Sequence, residues 1–237
     1  MKIKNIEQII KNIIISAVFA AVALSFSSCA VLKRAEPKFP FGVNMNSPKV
    51  EVGTFETFMI RLMSKDGLRK EDVKVEYYPR EDAVSFTYRY DFVTYHQFWN
   101  RSMRLSFITA VENYKKDYED RNLSKNARRR DRKYGSLDGY IVWYTATFTV
   151  RAMAYSEYIL GYKIKGRAAW FTSTQREAYY EDEVTIGNNR RSQDITMHFT
   201  RAQAEEVAAF FDQQFLNSLA GALPEEIEAP PVQFDFY

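Results

Sequence analysis

Cysteine occurs once in the 237 residues, at Cys29, and histidine twice, at His96 and His198. A lone cysteine forms no internal disulfide, so the fold must be held by its core. Two histidines 102 positions apart give no H-x-x-x-H metal pair, and no Cys-based zinc set is available. Only nine glycines are present, and none falls into a G-x-G-x-x-G turn, a phosphate loop or a G-x-S-x-G elbow. Charge of one sign is also missing: 33 basic residues face 30 acidic ones. That balance gives no support to nucleic acid as a partner.

What the chain does have at its start is an export pattern. Lys2, Lys4 and Lys11 precede an uncharged run from Ile13 to Phe26. At about 1.5 Å per helical residue that run reaches roughly 21 Å, short of a ~30 Å hydrocarbon core. An uncleaved anchor is the rival reading, because no charge appears between Lys11 and Lys33; four serines thin its hydrophobicity. Phe26-Ser27-Ser28-Cys29 follows, small residues directly before the only thiol. This junction resembles a bacterial lipobox, in the relaxed form of spirochaetes and some Bacteroidetes, with Phe26 where Leu is preferred and Leu24 two places back. The resemblance implies cleavage before Cys29 and covalent diacylglycerol and N-acyl chains on it; no other cofactor is expected. Several acyl chains together give a stable anchor where one binds only marginally. Removal of residues 1–28 takes away Lys2, Lys4, Lys11 and Glu7, and lowers the formal +3 to +1.

Residues 29–48 read as a lipidated tether carrying Pro37, Pro40 and Pro48. Val50–Met63 fits either a strand or a short helix, whereas Val73–Tyr78 and Ala83–Phe92 alternate as two strands around the turn residues Pro79 to Asp82. In the second run Val84, Phe86, Tyr88, Tyr90 and Phe92 share one face. Thr94 and Gln97 have capping-box spacing, which predicts a first amphipathic helix from there to about Arg121. Gly139 onward predicts a long β region, with Tyr140, Val142 and Tyr144 on its buried face and Ile141 and Trp143 opposite. Thr200 and Gln203 form a second capping box, opening a helix with the stripe Ala204, Val207, Ala208, Phe211, Phe215 and Leu219. Strand, capping box and helix thus occur twice, as a duplication or as independent uses of one general device.

Three clusters carry potential chemistry. Lys125, Arg128, Arg129, Arg130, Arg132 and Lys133 make a basic loop that reads as a candidate contact for an anionic lipid surface, protein or polymer, or as a solvated loop. Glu181-Asp182-Glu183, with Asn188 and Asn189, offers calcium ligands without an EF-hand pattern. His96, placed in the first helical turn, and His198, opposite Ile195, Met197 and Phe199, are both expected to be exposed. The 18 Phe, 16 Tyr and 3 Trp read as core, or as an aromatic groove for an apolar ligand. In the tail, Gln233 and Asp235 alternate with Tyr237, the wrong phase for the last strand of an outer-membrane barrel.

The expected architecture is therefore a single α+β domain over 49–223, an antiparallel sheet with two amphipathic helices on one face, followed by a Pro-rich, aromatic-ended tail at 224–237. No catalytic or metal residue is assigned. The expected role is a non-catalytic lipoprotein of the cell envelope, held by Cys29 on the inner or outer membrane, that binds a protein partner or assists an assembly. The alternatives are a carrier of a small apolar ligand and a cell-wall hydrolase built on converging carboxylates.

Overall fold

Strands account for about half of the described residues. The computed structural model describes residues 43–61, 67–128, 132–145, 151–180 and 191–221. Within them lie eight strands: β1 (Val50–Met59), β2 (Arg69–Tyr78), β3 (Ala83–Tyr90), β4 (Val93–Asn100), β5 (Lys133–Thr145), β6 (Ala152–Lys165), β7 (Ala168–Gln175) and β8 (Ile195–Phe199). Each pairs antiparallel with the next, and β8 returns to β1, where His198 stands opposite Phe58. The result is a closed barrel, which overturns the open sheet with helices on one face. Three helices accompany it: α1 (Arg101–Glu119), between β4 and β5, then α2 (Arg201–Phe210) and α3 (Gln213–Ala220) after β8. Among the described residues no helix is long and apolar enough to cross a membrane.

The alternation rule sorts the side chains. Phe55, Val73, Val75, Val84, Phe86, Tyr88 and Tyr90 all enter one core. Ile141 and Trp143 belong to that core as well, which reverses their expected placement on the half-polar side of β5. Tyr140 and Val142 are buried too, but in a second, outer cluster with Val43, Tyr78, Ala83 and Phe98. Both faces of β5 are thus covered, so hydrophobicity alone could not tell inside from outside. Elsewhere the outer face carries ion pairs, including Lys49–Glu76 at 2.9 Å and Lys74–Glu51 at 3.0 Å. That polarity is the reverse of a transmembrane barrel, whose outward band is apolar.

The helices meet the core at the barrel end where β4 and β8 finish. Phe107 of α1 lies edge-on to Trp99, Phe171 and Phe211, with ring centroids 5.2–5.6 Å apart. Phe211 stacks on Phe86 at 5.1 Å. Such pairs contribute about 0.5–1.5 kcal/mol each beyond area burial. Toward the other end the interior turns polar: the Gln97 amide donates to Tyr88 Oη and Gln175 Oε1, both at 2.9 Å.

Two helix boundaries differ from expectation. Thr94 and Gln97 are strand residues, because β4 pairs with β3 along its whole length and with β5 on its other side. The first helix is capped instead by Asn100, whose Oδ1 accepts from Met103 N at 3.0 Å. Phe92 leaves the aromatic face and sits exposed in the β3–β4 turn beside Asp91, whose φ of 52° only a few residue types tolerate. The Thr200–Gln203 capping box does form. Its helix stops at Phe210, and Asp212 caps a separate helix through Phe215 N at 2.8 Å. The break turns Phe211 into the core and leaves Phe215 partly exposed, with Leu216 buried in its stead.

Two local devices hold these parts in register. Arg104, 1% exposed, donates to Asp82 O at 2.7 Å, Asp82 Oδ1 at 2.6 Å and Gln213 Oε1 at 2.5 Å. It thereby joins the β2–β3 turn, α1 and α3. Gly139 leaves room for Tyr158 and Met103, since a Cβ there would lie 2.1 Å and 2.6 Å from their side chains. Both neighbours are core residues, so Gly139→Ala is expected to overpack the site and cost about 1–3 kcal/mol. Urea denaturation of the variant against the parent checks this; an unchanged midpoint would contradict it.

Candidate functional site

A hollow on the outer surface of β6, β7 and β8 arises from side-chain size. Register aligns Gly161 with Thr172 and His198, and Ile159 with Thr174 and Thr196. These rows are mostly short, and long side chains stand around them. The groove encloses about 590 Å³ and is bordered by Arg132, Lys133, Lys163, Lys165 and Arg176. Among the described residues Asp194 is the one acid in its lining, and it is already engaged: Arg176 Nη1 lies 2.7 Å from Oδ2, and Glu177 N donates to Oδ1 at 2.6 Å. Cations therefore outnumber anions five to one, among the described residues, around a concave surface.

The backbone brings the loop to the groove. Gly161 has no side chain where the Arg132 carbonyl crosses it, and a Cβ at Gly161 would lie 2.3 Å from that oxygen. Arg132 folds back on its own loop, Nε donating to Ala127 O at 2.8 Å and a terminal nitrogen to Lys125 O. Arg132 and Lys133 thus join the groove from the basic loop. Lys125 and Arg128 are exposed and do not line it, and Arg129 and Arg130 lie outside the described residues.

A smaller cleft of about 140 Å³ adjoins the groove and shares Lys163, Lys165, Asp194 and Thr196 with it. Its remaining wall is Ile60, Tyr90 and His198. Lys163 Nζ donates to Thr196 Oγ1 at 3.3 Å, and Thr196 Oγ1 lies 3.0 Å from Thr174 Oγ1. Lys165 has no ion-pair partner among the described residues, and burial lowers its pKa. His198 is 1% exposed. Its Nδ1 lies 3.2 Å from both Phe58 O and Thr196 O, so the neutral ring donates there. Nε2 is left buried and without a partner. Burial, then Lys165 and Lys163, push the ring's pKa down to about 4.

His96 is likewise buried, on β4, so both histidines depart from the expected exposure. Thr87 Oγ1 lies 2.9 Å from its Nδ1, Tyr144 stacks on the ring at 5.7 Å, and burial lowers its pKa to about 4. Among the described residues no three His, Asp or Glu groups converge as a metal site. Cys29, the 181–183 acidic run with Asn188 and Asn189, and the 224–237 tail lie outside the described residues. Lys163, Lys165 and Arg176 were missed by sequence reasoning. Lys163 and Lys165 have same-face spacing, but only the strand register puts them beside Thr196 and Arg132.

Both histidine pKa values are depressed from 6.5 to about 4. The unfolded chain therefore binds more protons at mildly acidic pH, and their contribution to stability is complete above pH 6.5 and lost as pH falls toward 4. Between pH 7 and pH 5 each is expected to contribute a loss of about 2 kcal/mol. Urea melts at the two pH values should show it, with a smaller drop in His96→Gln or His198→Gln; equal drops in parent and variants would contradict it.

No curated protein and no solved structure matches the chain. A family model described as "Uncharacterised Treponema protein" matches residues 45–218, and it is to this family that the chain belongs.

Proposed function

We propose that this protein is an envelope lipoprotein, anchored through Cys29, that binds an anionic envelope partner non-catalytically in the β6–β8 groove and so takes part in an assembly. The observation that carries the reading is the cation excess of the groove, where, among the described residues, five basic side chains face one acid already paired with Arg176. Concave surfaces of one sign concentrate oppositely charged partners and speed their capture. The relaxed lipobox supports the anchor, and the family description names Treponema, a spirochaete genus.

Two details favour a docking surface over the alternatives. The aromatic residues that an apolar carrier would need open are largely packed away: Trp143 is in the core, and Trp170 lies 5.2 Å from Phe58 on the outer face. A hydrolase built on paired carboxylates finds, among the described residues, only Asp194 in the groove lining.

The test is crosslinking in intact cells from a photoreactive residue placed at Thr174, with fatty-acid labelling in parallel. A discrete crosslinked product is expected, lost when Lys133→Glu and Arg176→Glu are combined. Label on the parent and none on Cys29→Ala is expected as well. A product unchanged by the charge reversal would contradict the groove assignment, and label on Cys29→Ala would contradict the anchor.

A further inference from the structure

The groove explains attraction to an anion in general; the smaller cleft is more selective. It gathers two ammonium groups, Lys163 and Lys165, a hydroxyl, Thr196, and a buried imidazole nitrogen with no partner, His198 Nε2. Those groups ask for different things. The Lys165 ammonium asks for an anionic oxygen, and Lys163 adds a second positive charge beside it. The neutral imidazole already donates through Nδ1 to backbone carbonyls, so its Nε2 presents a lone pair and asks for an O–H donor. A carboxylate meets the first demand only. A phosphate group that retains a proton, as inorganic phosphate does at neutral pH, meets both.

We propose that the cleft walled by Lys163, Lys165, Thr196 and His198 is a binding site for a phosphate group, with the ammoniums on its anionic oxygens and a P–OH donating to His198 Nε2. The proposal rests on the groove's role as an anion-binding face and names the chemistry it takes. Lys165 is half-buried without an ion-pair partner among the described residues, and its flexible stem lets the ammonium reach a ligand in the cleft. Among the described residues the surroundings are electrically simple. Lys163 and Lys165 face the ring from β6, Asp194 stands ahead of β8 in its pair with Arg176, and Tyr90 comes from β3 with its hydroxyl donating to Ile60 O at 2.6 Å. From β1 and β7 the ring meets the Phe58 carbonyl and the Thr172 position. An added anion is then the one new charge, and it must raise the His198 pKa.

Two histidines make the experiment self-controlled. The full-length chain in a non-ionic maltoside detergent is titrated with inorganic phosphate at constant ionic strength, and the ring-proton resonances of both histidines are followed by NMR against pH. Saturable movement of His198 is expected, with its pKa raised by about 1 unit or more, while His96 stays fixed. Lys165→Gln, with His96 unmoved as evidence of folding, should weaken phosphate binding about tenfold. Sulfate, which has no proton to donate at neutral pH, should bind more weakly than phosphate. Vesicles of phosphatidylcholine with and without phosphatidic acid then separate the sources: capture by phosphatidic acid alone identifies a lipid headgroup, and response to inorganic phosphate only identifies the free ion. Absence of a saturable His198 shift, parallel shifts in both histidines, or a Lys165→Gln affinity equal to the parent's would overturn the proposal. If that happens while the crosslink at Thr174 remains sensitive to Lys133→Glu and Arg176→Glu, the phosphate site falls and the docking face stands.

Discussion

β8 is five residues long, and it closes the barrel by laying His198 between Phe58 of β1 and Thr172 of β7. Thr57 Oγ1 reinforces the seam by donating to the His198 carbonyl at 3.1 Å. Closure removes the sheet edges that an open arrangement leaves exposed. It also decides which way every side chain on β8 points. Ile195, Met197 and Phe199 enter the core, and Thr196 and His198 are turned outward to the surface where Lys163 and Lys165 stand. The candidate site is thus a by-product of the same contact that completes the fold.

That arrangement has a cost which the aromatic interior must offset. His198 and His96 are held neutral in buried positions, and Lys165 is partly desolvated with no ion-pair partner among the described residues. Arg104 is buried as well, but its hydrogen bonds to Asp82 and Gln213 compensate it. The contrast is informative. Arg104 has partners and ties three elements together, whereas the buried His198 Nε2 and the Lys165 ammonium lack them among the described residues. A buried polar group without a partner costs about 1–3 kcal/mol, which the edge-to-face cluster of Trp99, Phe107, Phe171 and Phe211 can absorb.

Much of the local structure was legible in the sequence. The Pro79–Asp82 hairpin, the inward row Val84 to Tyr90, the Thr200 capping box and the placement of His198 opposite Ile195, Met197 and Phe199 all follow from spacing. What could not be read was anything that depends on a non-local partner. A strand alternates identically in an open sheet and in a barrel, so the return of β8 to β1 leaves no periodic signal. The Thr94-x-x-Gln97 pattern satisfies a capping box on paper, yet pairing to β3 and β5 outweighs one local cap. β5 carries large apolar groups on both faces because Val43, Tyr78 and Phe98 cover its outer side. For the site, the basic loop was visible as a charge run, but two of its members reach the groove only because Gly161 admits the Arg132 backbone over β6.

The closure is therefore the claim on which fold and site both stand. Nuclear Overhauser contacts from the His198 protons in the full-length chain test it directly. Contacts to Phe58 on one side and Thr172 on the other are predicted. Contacts to Thr172 alone would place His198 on an exposed edge of an open sheet and contradict both the barrel and the cleft it walls.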